Sequence, residues 1–565
     1  LPIYGAVSSN SSSAIAASNT IKDADIENVL NSNISLTINT AARAGNDVGD
    51  ITVANDVSVA WNTARQLTLR ANRDITLAGT FDGSASNSAA TFRADAGRNI
   101  NLGNNLVIKS GSTGSIFLNA AATGITESAT DNSVDVASNW KTGTGAISHG
   151  NNVTLQSGAI VLKSGKAVDG TRTDIGSELK LNSTNGTTFR SLQLSGFDDV
   201  NVNANDHSNI ETTSGSIIIN AKNITIDEDV IGKGSVYLTA ASFNDVTNNF
   251  VDLDANDPIN SITDTRDEFR SDGWKNNHGT LTFSGDVVLA MCCGFTATSG
   301  KDSNGNRADF TSTNATFEYN NSYDIVEWFE VKGFNSFNTT IEGNSLNSNS
   351  FIDIRNKNNV INYHLVAGQD IPNSTEFPSG SPADDFGYVR VMGGVFNSNN
   401  NYSDNIQNIG TTTFDNSLLG GSPLLISAAK EVILTSGNNT STGRTSITDE
   451  TDTEVDDTTS YAGRTDNVKF AHTDDNGQFD GNVRIEGFRE ISLDTSGIGD
   501  ELTATGNINT WSSEMTNIND DLTATNITSI SEGDIYLRND STLTASNIAT
   551  LVVDEKAPKR TVFGS

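Results

Sequence analysis

Two short stretches carry the residue types that a hard cation needs. "DSNGNRAD" places oxygen ligands at Asp302, Asn304, Asn306 and Asp309, and "DDNGQFD" places them at Asp474, Asn476 and Asp480. Calcium takes several oxygens around a tight, glycine-containing turn, so calcium is the cofactor these turns would hold. Neither has the glycine at position six and the distal glutamate of an EF-hand loop, and in a chain this rich in Asn and Asp the same spacing also describes an ordinary corner. Cleavage of an acidic polysaccharide would need carboxylates or a cation beside an arginine or lysine base on one exposed face. Glycoside hydrolysis would need a pair of carboxylates. Asp198-Asp199, Asp264, Arg266 and Asp267 are of these types, but acidic residues are spread along the whole chain, and no catalytic residue is assigned. His149, His207, His278, His364 and His472 lack metal-ligand spacing. Cys292 and Cys293 follow the apolar "DVVLAM". They read as one buried and one exposed thiol, as a vicinal disulfide, or as a cross-link to another chain.

The elements that would position such residues are short. In "LTLRANRDITLAGTFDG" the triplets Leu67-Thr68-Leu69 and Ile75-Thr76-Leu77 each alternate with period two, the strand signature. Three residues cannot form a stable hairpin, so the triplets must stack on copies of themselves. Ile51, Ile75, Ile100 and Ile125 recur every 24 to 25 residues. So do Leu67, Phe92 and Ile116, and so do Val57, Phe81 and Leu106. Three interleaved series with one period mean three strands per coil of a solenoid. The predicted fold is all-β, a right-handed parallel β-helix with apolar residues stacked inward and Gly, Asn and Asp at the corners.

Composition agrees. The 565 residues are 35% hydrophobic, with helix-period segments sparse and only 7 prolines. With 69 acidic residues against 35 basic ones the net charge is −34, which argues against nucleic acid or an anionic membrane as the main partner. No apolar run reaches the roughly 20 residues of a membrane span. The chain opens on Leu1 rather than methionine, which reads as a mature or trimmed form.

Along the chain, residues 1–44 form a polar lead-in that carries one apolar segment, "LPIYGAV", on an "SSNSSS" tether. Its Leu1, Ile3, Tyr4 and Val7 suit a strand donated to a neighbour for assembly, a strand that caps its own first coil, or a fragment boundary. Regular coils fill 45–245, a loop excursion 246–280, and further coils 281–555, with loops at 370–385 and 441–466 and a tail at 556–565. "LQLSGFDDVNV" at 192, "FEVKGFNSFNT" at 329 and "VRIEGFREISL" at 483 share one pattern, in which glycine makes a corner and Phe197, Phe334 or Phe488 plugs it.

"GDITVANDVSVAWNTARQLTLRANRDITLAGTFDGS" and "GRNINLGNNLVIKSGSTGSIFLNA" resemble the filamentous-haemagglutinin-like exoproteins of two-partner secretion, most clearly over 45–245. That family's N-terminal secretion domain, with its Asn-Pro signature, has no counterpart here. The resemblance implies a secreted, extracellular β-helix of a bacterial surface or matrix: an adhesin or filament subunit that self-associates end to end and meets a carbohydrate or a surface receptor. A polysaccharide lyase or hydrolase is the alternative, and a ligand-capturing exoprotein that presents a loop is a third reading.

Overall fold

Strands too short to stand alone are stacked in register. The computed structural model describes residues 6–7, 21–40, 49–85, 89–122, 143–183, 188–202, 209–240, 278–291, 293–319, 326–367, 388–393, 410–420, 422–428, 431–437, 444–447, 468–472, 478–479, 481–493, 501–537, 541–553 and 562–563. The chain divides into two units, Leu1–Ala290 with Gly300–Gly305, and Met291–Ser299 with Asn306–Ser565. Each is a parallel β-helix.

In the first unit Leu36, Leu67, Phe92, Ile116, Ile160, Leu192, Ile217 and Val236 stack as one inward column of parallel partners. A second column runs Ile51, Ile75, Ile100, Ile147. The expected fourth member, Ile125, lies outside the described residues. Its expected place beside Ile100 belongs to Ile147, 47 residues on. The third column is Val59, Phe81, Ile108, Leu155, Leu181. Val57 and Leu106 sit two residues before their expected register, in corners closed by bonds from their own N–H groups to Ala54 O and Gly103 O. A slip of two preserves the inward face, so both are buried all the same.

Arg73 and Arg98 hold corners of successive coils. Arg73 Nε donates to Asp50 at 2.8 Å, and one coil later Arg98 Nε donates to Asp74 at 2.8 Å. Burial would raise the Asp74 carboxyl; hydrogen bonds from Arg98 and Asn99 outweigh it and hold it below the ordinary carboxylate value. Outward residues form their own column, in which Ser148 Oγ donates to Asn101 Oδ1 at 2.8 Å and Asn101 Nδ2 to Thr76 Oγ1 at 3.5 Å.

The first coil is capped by a helix that the sequence reading missed. Asp23–Asn31 buries Ile26 and Leu30 on one face and carries Asp23 and Asp25 in its first turn. Its side chains bond the open edge of strand Ser58–Ala60. Glu27 Oε1 accepts the Ala60 N–H at 2.7 Å, and Asn31 Nδ2 donates to the Ala60 carbonyl at 3.2 Å. Ala6–Val7 pairs antiparallel with Leu36–Asn39, setting Val7 opposite Ile38.

In the second unit the main inward column is Phe295, Phe329, Ile352, Val389, Val432, Val483, Ile508, Ile527. Phe295, Phe310, Phe317 and Phe329 pack edge-on and stacked with centroids 4.9–5.5 Å apart. The outward face of the same strands buries charge. Asp353 takes two hydrogen bonds from Arg355, at 2.7 and 2.6 Å, with Lys332 Nζ at 3.6 Å and Arg390 at 3.9 Å. Burial would raise its carboxyl, but the three cations outweigh it and hold it far below the ordinary range. Toward the C-terminus the coils shorten: Ile508 pairs with Ile527, 19 residues on.

Candidate functional site

The three Gly-Phe corners share a partner. Gly196, Gly333 and Gly487 have φ of +90°, +84° and +84°, and a Cβ at any of them would collide with the carbonyl oxygen of Ser164, Ser299 or Ser436 on the preceding coil. Only glycine fits such a corner. An arginine eight residues after each of those serines closes it. Arg172, Arg307 and Arg444 each donate Nη1 to the corner glycine's carbonyl at 2.7 Å. Burial pushes the Arg172 and Arg307 guanidinium pKa values down to about 10, while Arg444 lies over the Trp511 ring at 4.7 Å. Phe197, Phe334 and Phe488 are buried behind the glycines. The sequence signal was present in "SGKAVDGTR", "SGKDSNGNR" and "SGNNTSTGR", each upstream of its Gly-Phe.

The residue two places after each arginine meets the residues two and three places after the corner glycine, and here the three copies diverge. In the second copy Asp309 accepts hydrogen bonds from Asn335 and Ser336. In the third, Arg489 Nε donates to Ser446 Oγ at 3.2 Å. In the first, three acids converge: Asp174, Asp198 and Asp199 place carboxylate oxygens within 4.8 Å of one another. Asp198 pairs with Lys222 at 3.0 Å, Asp199 accepts from Asn223, and the Asp174 carboxylate accepts the Asp199 N–H at 3.2 Å. His149 borders the corner with Nε2 3.0 Å from the Asp174 carbonyl oxygen. Such a corner suits a cation or a basic ligand group.

Of the expected ligands, Asp302 accepts the Asn304 N–H at 2.8 Å and caps its own turn, its carbonyl taking the Gly305 N–H, while Asp309 serves the Gly333 corner. Asn304 lies in that turn and Asn306 directly follows it; Asp474, Asn476 and Asp480 lie outside the described residues, as do Asp264, Arg266, Asp267, Cys292, Leu1, Ile3 and Tyr4. Cys293 is half-buried. Val7 pairs with Ile38 of its own chain.

The last described coil holds Leu543–Val553 and Val562–Phe563. Strand Leu543–Val553 pairs in parallel with Asp521–Ser531, and among the described residues that is its one sheet partner. Leu522, Ala524, Ile527, Ser529 and Ser531 are buried, whereas Leu543, Ala545, Ala549, Leu551 and Val553 above them are not. Ile548 and Val552 are 56% and 41% exposed. An asparagine ladder ends here: Asn526 donates to Asn507 at 2.6 Å and Asn547 to Asn526 at 2.9 Å.

Protein-family models, curated proteins and solved structures give no match to this chain. Among the described residues no helix is long and apolar enough to cross a membrane.

Proposed function

We propose that this chain is an extracellular structural and adhesive β-solenoid, a surface adhesin or matrix subunit that assembles end to end and meets carbohydrate or a surface receptor. The observation that supports it best is the repetition of polar side chains along each unit: Thr76, Asn101 and Ser148 in one column, Asn507, Asn526 and Asn547 in another. Columns at the strand spacing of about 4.8 Å repeat a polar hydrogen-bonding side chain from coil to coil, which suits a repetitive ligand such as a polysaccharide. Arginine-clamped corners favour a rigid support over a catalytic cleft that must close. Retention of the purified chain on immobilised polysaccharides and on cell surfaces tests this reading. Binding without change to the polysaccharide supports it. Polymer shortening that Asp198→Asn or Lys222→Met abolishes would replace it with the enzyme reading, which draws on the acidic corner.

A further inference from the structure

Three coils of the second unit repeat a four-residue phrase. Leu502-Thr503-Ala504-Thr505, Leu522-Thr523-Ala524-Thr525 and Leu543-Thr544-Ala545-Ser546 follow one another at intervals of 20 and 21 residues. Parallel pairing sets Leu502, Leu522 and Leu543 in one column and Thr503, Thr523 and Thr544 in the next. Leu502, Ala504, Leu522 and Ala524 are buried, so the period of two turns the threonines outward. Thr503, Thr523 and Thr525 are half-exposed, and Thr505, Thr544 and Ser546 are exposed. Thr525 Oγ1 donates to the Thr505 carbonyl at 2.7 Å, which fixes one hydroxyl against the preceding coil. Beyond Ala524 and Ala545 the pairing shifts and sets Thr525 opposite Ser546 and Asn547.

We infer that this hydroxyl face binds ice. Its hydroxyls recur about 4.8 Å apart from strand to strand and about 6.6 Å apart along each strand, at every second residue. Both spacings lie close to repeats of the oxygen lattice on a prism face of ice. Threonine is β-branched and stiff about χ1, so each hydroxyl keeps its place in the grid. The methyl group beside it offers water no bond that would pull it off the lattice. The grid carries no charge in a chain of net charge −34, so it fits a neutral partner. Glu501 and Asp521 bound it at the start of the strands, where Asp521 accepts the Thr542 N–H at 2.6 Å. A polysaccharide is the other neutral candidate. Sugar rings stack their C–H faces on aromatic side chains, and none stands in this grid, whereas a lattice of water needs only hydroxyls at its own spacing. The inference goes beyond the proposed function: ice is a ligand of another class, held by threonines which that reading does not use.

Slow growth of ice on a cooled metal finger captures proteins that bind ice and rejects those that do not. The full chain, fluorescently labelled, is expected to enter the ice. A single ice crystal grown in its solution should fluoresce on the prism faces, a readout that needs no variant. Thr523→Tyr combined with Thr525→Tyr adds bulk at the centre of the grid and keeps strand propensity. Capture should be lost in this double variant while the melting temperature is unchanged. Thr80→Tyr, at an outward position of the first unit, should be captured like the unaltered chain. Rejection of the unaltered chain, as complete as that of an inert acidic protein, overturns the inference and leaves the polysaccharide reading standing. Fluorescence confined to the basal faces overturns the lattice match. Capture that survives the two tyrosines overturns the assignment to this face. Rejection from ice together with retention on crystalline cellulose or chitin that the tyrosines abolish replaces ice with a polysaccharide as the partner of this face.

Discussion

Gly196, Gly333 and Gly487 do at single positions what no other residue type can, and substitution shows it. Gly333→Ala meets the Ser299 carbonyl and a left-handed φ together; the φ alone costs about 1–2 kcal/mol, and the clash adds to it. Thermal melting of Gly333→Ala is expected to fall well below that of Gly305→Ala, whose φ is also positive but whose Cβ would meet open space. Asp353 is the corresponding charged residue. Asp353→Asn leaves Arg355, Lys332 and Arg390 without their shared anion, and losing one partner of a buried ion pair costs about 3–5 kcal/mol. Urea unfolding measures this, and a loss under about 1 kcal/mol would mean that water reaches the cluster. His364 supplies a pH dependence. Its Nδ1 accepts the Leu425 N–H at 2.8 Å, and burial lowers its pKa below 6.5. The folded state thus favours the neutral ring, so its contribution is complete above about pH 6.5 and is lost as pH falls toward the lowered value. His364→Gln should flatten that part of a melting-temperature profile between neutral and mildly acidic pH.

At the scale of the strand, the inward and outward faces of one triplet respond differently. Ile100 is fully buried between Ile75 and Ile147, while Asn101 is half-buried on the outer face. Ile100→Asp should cost several kcal/mol, since it buries an unpaired charge, and Asn101→Asp should stay within about 1 kcal/mol. Equal losses would contradict the assignment of faces. This alternation was legible in the sequence because period two and a repeat of 24–25 residues reinforce each other wherever coils are uninterrupted. Ile147 was not legible, because 47 residues rather than 25 separate it from its partner Ile100. The slip at Val57 and Leu106 was hidden for a different reason: two residues are one full strand period, so the apolar pattern reads the same in either register. The helix Asp23–Asn31 has its apolar Ile26, Val29 and Leu30 at helical spacing, but nine residues give too few turns to stand out from a polar surround.

At the scale of the whole chain, rhythm announced the fold, and composition left the site undetermined. With 69 acids available, no single Asp could be chosen. The corner at Asp174, Asp198 and Asp199 emerges only when three corners of the same construction are set side by side and one proves to bring three acids together. The same acidity sets the solution behaviour. Simple salt should raise the melting temperature by screening a net charge of −34, and a chelator at constant ionic strength should leave it unchanged. A fall with chelator alone would mean that a bound divalent cation is part of the fold. Successive coils keep one register although 47 residues separate Ile100 from Ile147, which stacks on it, and cysteine pairing tests this most directly. Adjacent strands bring partner Cα atoms to about 4.8 Å, inside the span that a disulfide bridges. In a chain with Cys292 and Cys293 replaced by serine, Asn101→Cys with Ser148→Cys should cross-link on mild oxidation, since the two are direct partners on the outer face. Asn101→Cys with Thr126→Cys, the pair that an unbroken 25-residue period would bring together, should not. Cross-linking of the second pair in place of the first would contradict the stacking of Ile147 on Ile100.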